Sequence, residues 1–249
     1  MKRTERHHLK ENELAVSLRH AQATAQRYRR QITWGTIAVL VVVASGVGYA
    51  VWRGRVHAQA REELAAAIAI TQAPVNLPPA AGSPPPQPGG YASEQARLEA
   101  ALPKFMAVAE RFPSTAAGIA ARYHAGSIQA ALGRPAEALA RYREVQQRDP
   151  RGLYGRMAHL GEADAHMQAR QYDEAITIYK ALVDSNASND GNLPLDGLLV
   201  QLGRAYVGAG KATEARQTFT HVLDQFPDSP FLTEARRELD RLDERATGD

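Results

Sequence analysis

GRAYVGAGKATEARQTFTHVLDQFP, running from Gly203 to Pro227, decides how this chain folds. Its small residues recur at helical spacing around Gly210, an alanine at 215 is followed four residues on by Phe219, and Pro227 closes the stretch. The same pattern lies upstream. Phe105, Tyr142, Tyr179 and Phe219 are separated by 37, 37 and 40 residues, and so are Ala101, Ala138, Ala175 and Ala215. Gly126, Ala163 and Gly203 step by 37 and 40, as do Gly133, Arg170 and Gly210. Pro113, Pro150 and Pro227 close three of the copies, with Ala187 in the equivalent place of the third. A period of this length built from two helices defines a solenoid, because one unit cannot bury its apolar stripe and must stack on its neighbours.

Gly203, Tyr206, Gly210, Ala215, Phe219 and the closing Pro227 resemble the tetratricopeptide repeat. That family repeats every ~34 residues. The extra residues here fall in the loops between units, as in PSTAAGIA and PRGLYGRM, and in the last copy in the DGNLP turn, so the helical register survives.

Working outward, residues 93–249 form the repeat domain, with Ser93–Phe112 as the second helix of the first unit. Its partner is a first solenoid helix within 53–72, carrying VHAQAREELAAAIAIT. A Pro/Gly-rich loop at 73–92 is inserted between the two, and its stretch 73–90 holds seven prolines and three glycines. Neither helix nor strand persists through such a stretch. The polar amphipathic segment Phe231–Arg245 suits a cap, which terminal repeats need for solubility.

Before the repeats, Ile32–Trp52 reads ITWGTIAVLVVVASGVGYAVW, 21 residues without a charge. As a helix this is about 31 Å long, the hydrocarbon thickness of a bilayer. Trp34, Tyr49 and Trp52 lie where aromatic rings favour the headgroup level, and arginines flank both ends. The apolar stretch is longer, and its preceding arm longer, than a cleaved signal peptide requires. The expected architecture is all-α: one N-terminal transmembrane helix, then a solenoid of about four helix pairs, the first interrupted by the insertion, then a C-terminal capping helix.

Charge sets the expected orientation. Residues 1–52 carry 8 Lys/Arg against 3 Asp/Glu, although the whole chain has 30 against 27. Residues 1–31 therefore read as a short basic cytoplasmic arm, and the C-terminal domain as exported, in a bacterium to the periplasm. The absence of cysteine excludes disulfides, thiolate metal sites and a cysteine nucleophile. The repeat domain has no basic face with interleaved base-reading side chains, so nucleic acid is not an expected partner.

No phosphate-cradling glycine loop, HExxH, GxSxG or paired-carboxylate pattern occurs, so no catalytic residue, cofactor or enzymatic activity is expected. His159, Glu162 and His166 share one helical face, but groups almost two turns apart reach one zinc ion poorly, and no metal site is expected. These three stand where tetratricopeptide repeats carry apolar or aromatic residues. That helix accordingly reads as rotated, with Met157, Leu160, Ala163 and Met167 as its packed stripe.

The resemblance implies a concave groove lined by the first helix of each unit. Its partner-binding positions fall on Tyr123, Ser127 and Ala130, on Leu160, Asp164 and Met167, and on Val200, Arg204 and Val207. Extended peptides or a partner's helix are the expected occupants. The lysines and asparagines with which the family's clamp reads chaperone C-termini are missing. The full layout of basic arm, single span and exported repeat domain is similar to the ancillary subunit family of the bacterial Sec translocon. That resemblance implies channel subunits, periplasmic chaperones or exported polypeptides as partners at the inner membrane. The alternative is an envelope scaffold or assembly adaptor, in cell-division or secretion machinery, that holds one folded partner.

Overall fold

The structure is a computed structural model, and it describes residues 28–76, 88–187 and 193–248. The greater part of the expected arm, the centre of the proline-rich loop and most of the DGNLP turn lie outside the described residues. The chain divides into two units between Val56 and His57.

Among the described residues all of the regular structure is helical, apart from one isolated bridge between Val75 and Tyr91. Helix α1 spans Arg29–Thr71; nothing in RGRVHAQAREELAAAIAIT breaks a helix, and the chain leaves it just before Pro74. In the first unit the apolar side chains of α1 are exposed throughout, from Trp34 through the valines to Trp52. Its best window has a mean hydropathy of 1.9, so this helix is long and apolar enough to cross a bilayer.

The second unit begins with the remainder of α1, whose Ala60 and Ala67 are buried and whose Glu63 pairs with Arg111 at 2.6 Å. Among the described residues eight helices follow: α2 (Glu94–Arg111), α3 (Ala116–Ala131), α4 (Pro135–Arg148), α5 (Leu153–Gln168), α6 (Tyr172–Ala187), α7 (Leu195–Gly208), α8 (Ala212–Gln225) and α9 (Leu232–Gly248). Each from α2 onward packs on the next, and α3 also meets α5. Contacts between successive first helices are what make helix pairs into a stack.

Local chemistry fixes the helix boundaries. Ser93 and Thr115 cap α2 and α3 by accepting from the Ala96 and Gly118 amides, and Pro135 occupies the first turn of α4, where its missing N–H costs nothing. The turns inside three pairs are left-handed at one repeat position: Gly133 (φ 72°), Arg170 (φ 58°) and Gly210 (φ 73°). Glycine adopts this conformation freely, whereas a side chain is strained there, so the third pair carries a cost at Arg170 that the other two avoid.

The insertion is pinned at its base. The Asn76 amide donates to the Tyr91 carbonyl at 2.8 Å, the Tyr91 amide donates to Pro74 at 2.9 Å, and Arg97 donates to the Ala73 carbonyl at 2.9 Å.

The repeat period is the core. Ala101, Ala138, Ala175 and Ala215 are completely buried, and Phe105, Tyr142, Tyr179 and Phe219 are buried or nearly so. Small residues make room for the rings: a Cβ on Gly203 would come within 2.6 Å of the Phe219 ring, and one on Gly161 within 2.5 Å of Tyr142. Phe219 joins Leu199, Val222, Ala235 and Leu242 in the cluster through which α9 closes the array. Removing its ring should cost about 3–5 kcal/mol, so Phe219→Ala should move the urea midpoint far below that of the wild type. Gly210→Ala should cost about 1 kcal/mol through its positive φ alone, a drop of a few degrees in a thermal melt.

Candidate functional site

Spacings of four and three residues place Tyr123, Ser127 and Ala130 on one stripe of α3, Leu160, Asp164 and Met167 on one stripe of α5, and Val200, Arg204 and Val207 on one stripe of α7. Their environments differ. Tyr123 is half-buried in an aromatic group, with ring centres 5.9 Å from Tyr142 and 5.7 Å from Tyr154. Ser127 receives the Tyr142 hydroxyl at 3.3 Å, and Asp164 receives the hydroxyl of Tyr179 in a short hydrogen bond. In both pairs the buried tyrosine of the second helix reaches back to a polar group on the first.

Burial raises the pKa of both tyrosine hydroxyls and also that of the Asp164 carboxyl, against which the Tyr179 hydrogen bond works. Arg204 is paired with Glu234 of α9 at 2.6 Å. Leu160 and Met167 pack in part on the cluster around Tyr179, and Val207 in part on the cluster that α9 completes. Val200 belongs to that last cluster and is only 1 % exposed, so its side chain is core and not surface. It shares its cluster with Ala215, Phe219 and Val222 of α8 and with Ala235 of α9.

A cleft of about 190 Å³ lies on this stripe. Leu160 and Asp164 of α5 form one wall, Gly197 and Gln201 of α7 another, and Phe231, just before α9, a third, with the Leu193–Pro194 turn at the edge. It is smaller than the ~300 Å³ at which pockets for small molecules begin, and is suited to a single side chain. The repeat alignment did not single out Gly197, Gln201 or Phe231. The signal for Phe231 was its place shortly after Pro227, where a further repeat would begin.

The expected rotation of α5 is corrected by the structure. Ala163 is fully buried, but Met157, Leu160 and Met167 are only half-buried, and the most buried face also carries Ala158, Gly161, Glu162, Ala165 and His166. This face is polar where the repeat is usually apolar because α4 answers it: Arg143 and Gln146 donate to the two Glu162 oxygens at 2.9 and 2.7 Å. His166 Nδ1 lies 2.7 Å from the Gln171 side-chain oxygen. His159 instead lines a separate cleft with Arg151, Arg156 and Asn186. His166 Nε2 also lies 3.9 Å from Glu162 Oε1, while His159 stands apart from both, and no group of three or more potential metal ligands assembles among the described residues.

Burial alone would raise the Glu162 pKa, but the hydrogen bonds from Gln146 and Arg143 and the charge of Arg143 outweigh it and hold the group below its ordinary value. A carboxyl depressed in the folded state stabilises the fold above its unfolded pKa of about 4.3, and that stabilisation fades as the pH falls through the folded value. Glu162→Gln should therefore flatten the acid limb of the stability profile below about pH 5, measured by urea unfolding at a series of pH values.

Sequence models of the tetratricopeptide repeat match residues 123–190 and 198–229. A search of curated proteins returns no match. Among solved structures, the chain is similar to a putative kinesin light chain of Podosopora anserina with nearly identical TPR-like repeats, at 16% identity and a TM-score of 0.56 over 76% of this chain and 87% of that one. It is also similar to MamA, residue 41 to the end, from Desulfovibrio magneticus RS-1, at 18% identity and a TM-score of 0.50 over 61% of this chain and 78% of that one. At such identities the likeness concerns the fold. Both sequence matches fall on the stacked pairs described here, so residues 123–190 and 198–229 carry tetratricopeptide repeats.

Proposed function

We propose that this protein is a membrane-anchored, non-enzymatic adaptor whose repeat groove binds protein partners on the periplasmic face of the bacterial inner membrane. Tetratricopeptide domains bind proteins in general, and the single observation that carries the reading is the side-chain-sized cleft on the row of first helices, lined by half-buried Leu160 on the stripe that also carries Met167. Residues 32–52 cross the bilayer, residues 1–31 stay in the cytoplasm as a basic arm, and the solenoid from 53 onward, with its insertion at 73–92, stands outside. The uncharged span, whose described side chains are exposed, and the excess of Lys/Arg before it support this topology. The groove contacts are Tyr123, Ser127, Leu160, Asp164, Met167, Arg204 and Val207, without Val200.

Its partners are exported polypeptides, periplasmic chaperones or channel subunits at the Sec translocon, as the arm, span and repeat layout suggests. Purification of the full-length protein from gently solubilised membranes should bring translocon subunits with it. The Leu160→Glu/Met167→Glu double variant should lose about nine-tenths of them while keeping its helical signal, since placing charge in an apolar contact removes most of its binding energy. Recovery of one folded envelope protein in fixed proportion, with no translocon subunit, would replace this assignment with the scaffold reading.

A further inference from the structure

We propose that the cleft between α5, α7 and the start of α9 seats one lysine or arginine side chain of an extended peptide, its charged tip on the Asp164 carboxylate, an assignment that rests on the peptide-groove reading. At about 190 Å³ the cleft admits one long side chain. Leu160, Leu198, Pro194 and Phe231 provide apolar walls for a methylene stem.

What selects the tip is charge. Asp164 is half-buried, and Tyr179, itself completely buried, fixes one of its oxygens. Among the described residues no lysine or arginine forms an ion pair with Asp164; Arg204, at the equivalent position of α7, is committed to Glu234 at 2.6 Å. Burial without a counter-charge raises the Asp164 pKa, so ionisation of this group is costly in the free protein. A cation delivered by a ligand relieves that cost, and Gln201 adds a neutral acceptor on the opposite wall.

The test uses the full-length protein in detergent micelles and fluorescein-labelled Ser-Leu-X-Leu-Ser peptides, with X as lysine, arginine, norleucine or glutamate, read by fluorescence anisotropy. Norleucine keeps the stem and removes the charge. Lysine and arginine peptides should bind about tenfold more tightly than the norleucine peptide, and the glutamate peptide most weakly. Asp164→Asn, which keeps an acceptor for the Tyr179 hydroxyl, should bring the lysine peptide to within about twofold of norleucine. Equal affinity for lysine and norleucine in the wild type would overturn the proposal while leaving peptide binding in the groove intact. So would a preference that persists in Asp164→Asn. Failure of every peptide to bind would overturn the groove reading together with it.

Discussion

Everything in the repeat domain depends on one seat: an aromatic ring on the second helix of each pair lodged against small residues of the first. Phe105, Tyr142, Tyr179 and Phe219 fill that seat in turn, each four residues after a completely buried alanine. The contact is unforgiving in one direction. A single carbon added at Gly203 would meet the Phe219 ring at 2.6 Å, and interiors at crystal-like density have no slack to absorb it. The ring therefore sets how closely two helices approach, and stacking repeats that distance down the array. The groove stripe exists because these seats hold the first helices side by side.

Two of the seats are tyrosines, and their hydroxyls join packing to chemistry. A buried hydroxyl needs a partner, and the groove-side residues Ser127 and Asp164 supply it. Phe219 has no such requirement, and its counterpart on α7 is Arg204, turned instead to Glu234 on the cap. The ring chosen for the core of a pair thus decides whether a polar groove residue is held from behind or is free to pair along the surface.

The same logic governs Glu162. Charged groups in an interface between repeats are tolerable only when neighbours satisfy them, and α4 supplies Arg143 and Gln146. At the C-terminal end the solution is inverse. Helix α9 turns Ala235 and Leu242 inward and leaves Arg236, Arg237 and Asp240 exposed, so a further repeat has no apolar face on which to stack.

The sequence by itself determined the helical class, the period, the buried alanines and rings, the Gly133, Arg170 and Gly210 turns, the cap and the apolar helix, because each follows from spacing along one chain. It also brought Leu160 and Asp164 to one stripe. It misread α5, because a lone Glu and His on an apolar face look misplaced until their partners are seen, Arg143 and Gln146 on α4 for Glu162 and Gln171 for His166. It counted Val200 as groove, because which stripe of α7 becomes covered depends on how the later helices fold back and leaves no mark at position 200. Only the tertiary structure joined Gly197, Gln201 and Phe231 to Asp164 in one cleft: they come from separate helices and a loop, and their meeting is set by packing distance and angle, which no periodicity encodes.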